Sequence, residues 1–180
     1  MLSNVTGLFE MAETRLEKKF GPIELKSPVI PFNYTDYYEE EIGRDIKRQF
    51  LSFQKLIDPG SLAGIKLFTN KLEERLQRER VGPGRPINLD PGYLASSKLV
   101  LASTKDYYHR IYLEKGIYAE VTLRYVKGAF EPLPWTYPDY RSKEYIDFFT
   151  ESRILYTKKL RKQLASNPEE YHNAEDINNP

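Results

Sequence analysis

The chain has 180 residues, and its 27 lysines and arginines almost balance its 26 aspartates and glutamates. This length is typical of one domain with a substantial core. The formal net charge of +1 excludes the strong basic field of a typical DNA-binding protein. The absence of cysteine excludes disulfides, zinc–thiolate sites and thiol catalysis. Because the sequence has no membrane-length apolar run and no leader pattern, we expect a cytoplasmic location and no membrane partner.

The first third of the chain predicts a helix followed by extended segments. Apolar residues recur at helical spacing over residues 5–20, and Gly21-Pro22 ends that pattern. Residues 23–34 are typical of an edge strand, because prolines interrupt them. Residues 44–57 contain a second apolar segment, which we interpret as the next strand.

The middle of the chain predicts another helix and then an ambiguous region. Asp58-Pro59 combines a capping aspartate with a proline at the first helical position, and the stripe that follows places Glu73 on the solvent side. Residues 86–90 are a short strand candidate, which the turn at residues 90–92 ends. Residues 94–103 fit a helix or a strand, because periodicity does not separate the two over so short a run.

The clearest pattern is a β-hairpin over residues 105–126. Two alternating runs flank Glu114-Lys115-Gly116, and a three-residue loop with glycine in its last position is a common hairpin connection. The cross-strand pairs that this loop predicts are Leu113–Ile117, Tyr112–Tyr118, Arg110–Glu120, Tyr108–Thr122 and Asp106–Arg124.

The two faces of the hairpin differ in chemistry. The predicted core face carries Tyr107, His109, Ile111, Leu113, Ile117, Ala119, Val121, Leu123 and Tyr125. The other face alternates opposite charges with tyrosines: Asp106, Tyr108, Arg110, Tyr112, Tyr118, Glu120, Thr122 and Arg124. Such pairs stabilise a sheet by about 0.2–1 kcal/mol each, so a purely structural face is one interpretation. A ligand surface with fixed guanidinium groups and rings for stacking is the other.

The last part of the chain predicts a loop, a helix and a tail. Residues 132–141 form an aromatic loop between prolines, and Ser142 caps a helix that continues to about Leu164. Residues 1–165 are therefore the predicted single domain, and residues 166–180 are the predicted disordered tail.

The order of these elements indicates the α+β class, with a ferredoxin-like split βαβ unit extended by a β-hairpin and a long C-terminal helix. Such a unit begins with a strand before its first helix, and Met1-Leu2 leaves almost no room for one. We therefore expect that first strand to be missing or truncated. The loss of a central strand would leave unpaired backbone groups in the sheet.

Five segments are long and distinctive: PFNYTDYYEEEIG (31–43), LIDPGSLAGIKLFTN (56–70), NLDPGYL (88–94), HRIYLEKGIYAEVTL (109–123) and PLPWTYPDY (132–140). Together they resemble a prokaryotic family known as domain of unknown function 4416. The resemblance extends over nearly the whole chain to the end of the last helix, and it implies no activity, cofactor or residue role. Members of that family resemble each other in a short apolar strand before the first helix, which implies that Met1 is a late start or that the chain is shortened.

The leading functional hypothesis is a binding or regulatory domain for an anionic small molecule, such as a nucleotide, or for RNA. Arginines would supply the charge and aromatic rings the stacking. The candidate ligand-binding residues are Arg110, Arg124, Glu120, Tyr108, Tyr118, Asp90, Tyr93, Trp135, Tyr137 and Asp139.

The alternative hypothesis is a metal-assisted hydrolase or transferase. Clustered carboxylates bind divalent cations or raise one another's pKa, although a solvated acidic turn is the simpler interpretation of TDYYEEE. The residues of this hypothesis are Asp36, Glu39 and Asp90 as metal ligands, Glu120 beside them, and His109 or Lys105 as proton carrier. The third hypothesis is a structural partner of a larger assembly with no ligand of its own.

Overall fold

The structure, a computed structural model, describes residues 1–35, 39–79 and 84–166. Its helices are α1 (Gly7–Phe20), α2 (Glu39–Ile42), α3 (Leu62–Arg78) and α4 (Lys143–Ser166), with 3-10 turns at Pro59–Ser61 and Pro138–Arg141. Its strands are β1 (Leu2–Ser3), β2 (Ile23–Lys26), β3 (Ile30–Pro31), β4 (Lys47–Arg48), β5 (Leu51–Phe53), β6 (Gly92–Leu94), β7 (Lys98–Ser103), β8 (Ile111–Glu114), β9 (Ile117–Val126) and β10 (Ala129–Pro132). The fold is therefore α+β, as the sequence predicts.

The strands of the described residues form three antiparallel sheets. One has the order β1-β4-β3, a second pairs β2 with β5, and the largest has the order β10-β9-β7-β6 with β8 also on β9. Because the strands are divided among three sheets, the ferredoxin-like arrangement stays a prediction.

The helices pack against this framework through the stripes that the sequence predicts. In α1 the buried side chains are Leu8, Phe9, Ala12 and Leu16, which share a cluster with Leu72 and Leu76 of α3. The α3 segment begins where Asp58 accepts a hydrogen bond from the Gly60 amide at 2.9 Å, which caps the turn as expected. The predicted first and second long helices are thus confirmed.

The largest sheet lies between two helical layers. On one face, Phe148 and Phe149 of α4 pack with Leu99 and Leu123. On the other face, Leu62 at the start of α3 shares a cluster with Val100, Ala102 and Ile117. Strands β7 and β9 are therefore buried from both sides.

Helix α4 also contacts the small sheets at the amino-terminal end of the fold. Phe50, which precedes β5, stacks on Phe148 with their ring centroids 5.3 Å apart. Near the far end of α4, Lys159 Nζ donates hydrogen bonds to Glu24 Oε1 at 2.6 Å and to Gln54 O at 2.9 Å. Helix α4 thus packs on the largest sheet and also contacts the small sheets.

The hairpin connection is one residue shorter than predicted. Lys115 and Gly116 both have positive φ, 50° and 74°, as in the two-residue type I′ turn that suits twisted strands. Glu114 therefore pairs with Ile117, and an irregularity at Leu113 restores the predicted pairing of Tyr112 with Tyr118. Strand β8 begins only at Ile111, so residues 105–110 precede the hairpin rather than form part of it.

The burial of the two hairpin faces differs from the prediction. Ile111 is 71% exposed, and Tyr107 and Leu113 are also exposed, so the core prediction for these three residues is wrong. Glu120 and Thr122, predicted on the polar face, are buried. The reason is that the 133–141 segment covers them: Thr136 Oγ1 donates to Thr122 O at 2.5 Å and Trp135 Nε1 donates to Val121 O at 2.9 Å.

Other sequence predictions differ in detail from the structure. The ambiguous residues 94–103 contain strand β7, the sequence does not predict strand β10 (Ala129–Pro132), and Glu73 is buried instead of solvent-facing. The predicted tail at 166–180 lies outside the described residues beyond Ser166.

Candidate functional site

Glu120 lies at the centre of a buried polar network beneath the hairpin. Its Oε2 atom accepts a hydrogen bond from Arg110 Nε at 2.8 Å and lies 3.0 Å from His109 Nε2. Thr122 Oγ1 lies 3.3 Å from Oε1, the other carboxylate oxygen. Because Glu120 is only 2% exposed, its carboxylate depends on these partners for the stabilisation that water would otherwise give.

The guanidinium group of Arg110 is fully engaged inside the protein. Its NH1 atom donates to Ser103 Oγ at 2.8 Å and to Lys105 O at 3.1 Å, and its NH2 atom donates to the Tyr137 hydroxyl at 2.9 Å. The Arg110 side chain is 2% exposed. The predicted contact between Arg110 and Glu120 is confirmed, and it leaves this arginine buried in a closed network.

An aromatic stack connects this network to the surface. The His109 ring lies parallel to Trp135, with centroids 5.2 Å apart and an interplanar angle of 14°. Tyr108 meets His109 edge-on at 4.9 Å and is itself 90% exposed. Since Nδ1 of His109 is buried without a hydrogen-bond partner among the described residues, the ring is held by stacking and by Glu120.

Six exposed apolar and tyrosine side chains lie on β8, on the segment that leads into it and at Tyr137, and together we call them the tyrosine surface. It consists of Tyr107, Tyr108, Ile111, Tyr112, Leu113 and Tyr137. These are six of the eleven large hydrophobic side chains that are exposed in the described part of the chain. The tyrosine surface contacts the Glu120 network directly, because the Arg110 guanidinium lies 4.5 Å from the centre of the Tyr107 ring.

The other hairpin candidates have partners that differ from the prediction. Arg124 is predicted opposite Asp106, yet it forms an exposed ion pair with Glu131 of β10 at 2.8 Å, because β10 pairs with that end of β9. Desolvation and the nearby Asp106 carboxylate raise the pKa of the Tyr118 hydroxyl. Tyr93 is partly buried and packs against the apolar cluster that contains Leu62, so it is not part of the tyrosine surface.

A second group of charges, which we call the buried charge cluster, lies between β1, β4 and α3. It consists of the Met1 amino group, Arg48, Lys66, Glu73 and Asp139, with Asp90, whose side chain is 33% exposed, at its edge. Arg48 NH1 is 2.9 Å from Asp139 Oδ2, and both side chains are less than one-tenth exposed. The rings of Phe32, Phe50, Tyr140 and Tyr145 surround the guanidinium with centroids 4.8–5.6 Å away. Burial raises the pKa of Asp139, although Arg48 opposes that rise.

The remaining charges of the cluster fix the segment that leads into β6. Lys66 Nζ donates to Leu89 O at 2.9 Å and to Asp90 Oδ1 at 3.2 Å. Glu73 Oε1 accepts from the Leu89 amide at 2.6 Å. Burial raises the pKa of Asp90, but Lys66 and Arg48 outweigh it, so the pKa lies below its ordinary value. Asp90 is thus held as a carboxylate, with a structural role in these contacts.

The buried Met1 amino group is expected to make the stability of this chain depend on pH. Burial and the nearby Arg48 lower the pKa of the amine from 8.0 to about 5. Because the unfolded state binds this proton more readily, we expect its contribution to the free energy of unfolding to increase from pH 5 to pH 8, by up to about 4 kcal/mol. Burial raises the pKa values of Asp139 and Glu73. These two carboxyl groups therefore lower the free energy of unfolding as the pH rises, opposite to the effect of Met1.

The measurement that isolates Met1 is urea unfolding of the free-amine chain and of its Nα-acetylated form at pH 5 and pH 8. Acetylation keeps an N–H that can donate to Gln49 O, which lies 2.9 Å from the amine, but removes the titration. Equal pH profiles for the two forms would contradict this prediction.

The residues proposed as metal ligands are not assembled into a site that the structure describes. Within residues 1–35, 39–79 and 84–166, no group of three or more histidines and carboxylates is placed to hold a metal ion. Glu39 lies exposed at the start of α2, and Asp36 lies outside the described residues. Asp90 and Glu120 belong to separate networks with different partners.

Sequence reasoning missed the buried roles of Arg48, Lys66 and Glu73. A signal for two of them was present: Lys66 and Glu73 lie on the same helical stripe as Leu62, Thr69 and Leu76, all buried in α3. Charged residues that recur on an apolar helical stripe indicate buried side chains that need polar partners from other segments. Arg48 had no such local signal, because its partner lies in the distant Pro138–Arg141 turn.

The comparisons with known proteins identify a family and no function. The family described as Domain of unknown function (DUF4416) matches residues 1–156. Neither the curated proteins nor the solved structures contain a significant match. Among the helices that the structure describes, none has the length and apolar character needed to cross a membrane.

Proposed function

The chain belongs to the family described as Domain of unknown function (DUF4416), and we propose that it acts as a protein-binding domain whose contact area is the tyrosine surface. The observation that carries the proposal is the concentration of exposed rings on the β8–β9 hairpin and on the segment that leads into it. Tyr108 and Tyr112 are 90% and 57% exposed. Tyrosine is enriched at protein interfaces, because it buries a large ring at low entropic cost and keeps a polar tip.

The open edge of β8 supports an extended partner segment. In the described residues β8 pairs only with β9, and all four of its residues are exposed. An unpaired strand edge offers a row of backbone donors and acceptors to which an extended peptide can add. Side chains on the two faces of β8 then supply the contacts that determine which partner binds.

The charges at this surface favour a neutral partner over a phosphate-rich one. Arg110 is buried against Glu120, Arg124 pairs with Glu131, and Lys115 lies 3.5 Å from Glu114. Nucleic-acid affinity depends on cations that are available to phosphates. The anionic-ligand hypothesis therefore has less support here than an extended protein segment with apolar or aromatic side chains.

The test uses a displayed library of random twelve-residue peptides selected on the whole chain. Binding of each selected peptide is then measured by the emission of Trp135, the only tryptophan, which stacks on His109 beside the surface. We expect Tyr108→Ser/Tyr112→Ser to weaken binding at least tenfold, since about 1.4 kcal/mol of lost contact has that effect.

The matched control is Met11→Ser/Ile154→Ser, which removes two side chains that are also exposed, 40% and 48%, but lie elsewhere. We expect this variant to bind the selected peptides within twofold of the parent chain. Equal losses in the two variants, or a selection that enriches no peptide, would refute the proposal. A pool of twelve-nucleotide RNAs is titrated in parallel, and binding that depends on Tyr108 and declines with salt would assign the surface to RNA instead.

A further inference from the structure

The tyrosine surface is large enough to form an interface on its own. Its six residues are 38% to 90% exposed, and a fully exposed side chain of this kind presents on the order of 200 Å². They therefore offer roughly 700 Å² together, close to the ~800 Å² per partner of a standard interface. An extended peptide on β8 alone would align with only three of the six, because Tyr107, Tyr108 and Tyr137 lie outside that strand. The surface thus fits a partner that contacts β8 and its surroundings together.

Strand β8 supplies both an open edge and the kind of segment that such an edge accepts. In the part of the chain that the structure describes, it pairs with β9 on one side only. Its own sequence, Ile-Tyr-Leu-Glu (111–114), is extended, largely apolar and exposed along its length. A second β8 is therefore an extended apolar segment of the type that strand addition uses.

The charges around this surface allow two copies of it to meet. In a contact between identical surfaces, a charge near the two-fold axis faces its own copy, and like charges that face each other are destabilising. The six side chains of the tyrosine surface are all uncharged. Among the flanking charges, Arg110 is buried against Glu120, and Lys115 lies 3.5 Å from Glu114. Two copies can therefore approach here without an unpaired charge on the axis.

We propose that the partner of the tyrosine surface is a second copy of this chain, bound around a two-fold axis that passes beside β8. This inference rests on the proposed function, because it names the partner of the same surface. The two β8 strands are antiparallel neighbours in such a dimer, as a two-fold axis requires of a strand that pairs with its own copy.

The antiparallel arrangement brings the whole tyrosine surface into the contact. The turn end of each β8, with Leu113, lies beside the start of β8 in the other copy. That region carries Tyr107, Tyr108 and Tyr137, which precede β8 or contact the segment before it. Tyr112, in the middle of β8, lies near the axis and therefore near its own copy.

The test is sedimentation equilibrium of the full chain, with charges of either sign introduced at the axis. We expect the mean mass of the parent chain to reach twice the 21.1 kDa of one chain at about 100 µM. Tyr112→Lys and Tyr112→Glu should each weaken self-association at least tenfold, because each places like charges together. An equimolar mixture of these two variants should associate at least tenfold more tightly than either variant alone, since the charges are then opposite.

The matched controls are Ile154→Lys and Ile154→Glu, which make the same changes at a 48% exposed residue of α4. They should dimerise within threefold of the parent chain, and circular dichroism shows that each variant is folded. If a charge at position 112 unfolds the chain, Tyr108→Ser/Tyr112→Ser replaces it and should weaken self-association at least tenfold.

A parent chain that stays monomeric at about 100 µM overturns the proposal, whether or not the variants fold. A dimer that the changes at Tyr112 leave intact, or a mixture that recovers no association, also overturns it. A monomeric chain that still binds selected peptides through Tyr108 and Tyr112 refutes the second copy as partner but leaves the protein-binding function. A monomeric chain that selects no peptide refutes both.

Discussion

Replacing Asp139 by asparagine is expected to lower the free energy of unfolding by about 3–5 kcal/mol, because it leaves the buried Arg48 guanidinium without its counter-ion. The two side chains are 2.9 Å apart and nearly inaccessible to water. Asparagine has almost the same size and shape as aspartate. The change therefore removes the negative charge and little else. Urea unfolding followed by circular dichroism measures the loss.

The double variant Arg48→Met/Asp139→Asn is the critical companion of that experiment. Methionine fits among Phe32, Phe50, Tyr140 and Tyr145 as an apolar side chain, and no unpaired charge remains. We expect it to recover most of the stability lost in Asp139→Asn, as other buried ion pairs do when both members are replaced. Asp147→Asn, which breaks the exposed ion pair with Lys143, is the control and should change stability by less than about 0.5 kcal/mol. A single variant as mild as this control would show that Arg48 is not a desolvated charge.

Glu120→Gln is expected to lower the free energy of unfolding by about 3 kcal/mol. The mutation neutralises the carboxylate that pairs with Arg110 at 2.8 Å, in a location where the Arg110 side chain is 2% exposed. Arg110 keeps its hydrogen bonds to Ser103 and Tyr137, so we expect a smaller loss than for Asp139→Asn. Unfolding is measured in urea by circular dichroism and by Trp135 emission, which reports on the ring that stacks on His109.

The control for Glu120→Gln is Glu131→Gln, which makes the same chemical change in the same sheet. Its partner Arg124 is exposed, so water replaces the lost carboxylate and the expected change is less than about 0.5 kcal/mol. Similar losses in the two variants would mean that the Glu120 network does not stabilise the hairpin through a buried charge.

The local parts of the fold could be predicted from the sequence because their causes are local. The helical stripe of α1 and the Asp58 cap each depend on residues a few positions apart, and both are confirmed. The pairing of Tyr112 with Tyr118 was predicted for the same reason. The turn type was not, because the pattern does not distinguish a three-residue loop from a two-residue turn followed by an irregularity.

The burial of charges could not be predicted, because it depends on contacts between distant segments. Glu73 shares its helical stripe with Leu62 and Leu76, but the Leu89 amide that binds its carboxylate lies sixteen residues later in the chain. Glu120 is buried because the 133–141 segment folds back over β9. The same loop makes Ile111 an exposed residue, since the hairpin face that the sequence assigns to the core is not the one that the loop covers.

Helix α4 has a consequence for how the molecule opens and closes. Its aromatic side chains pack on the large sheet, Phe148 stacks on Phe50 beside the small sheets, and Lys159 binds to Glu24 and Gln54. Detaching α4 therefore exposes apolar area of the largest sheet and of the small sheets at the same time. The stabilities of these two parts of the fold are thus coupled in the native state. We expect amides of β2 and of β7 to exchange through one shared opening and not as independent foldons.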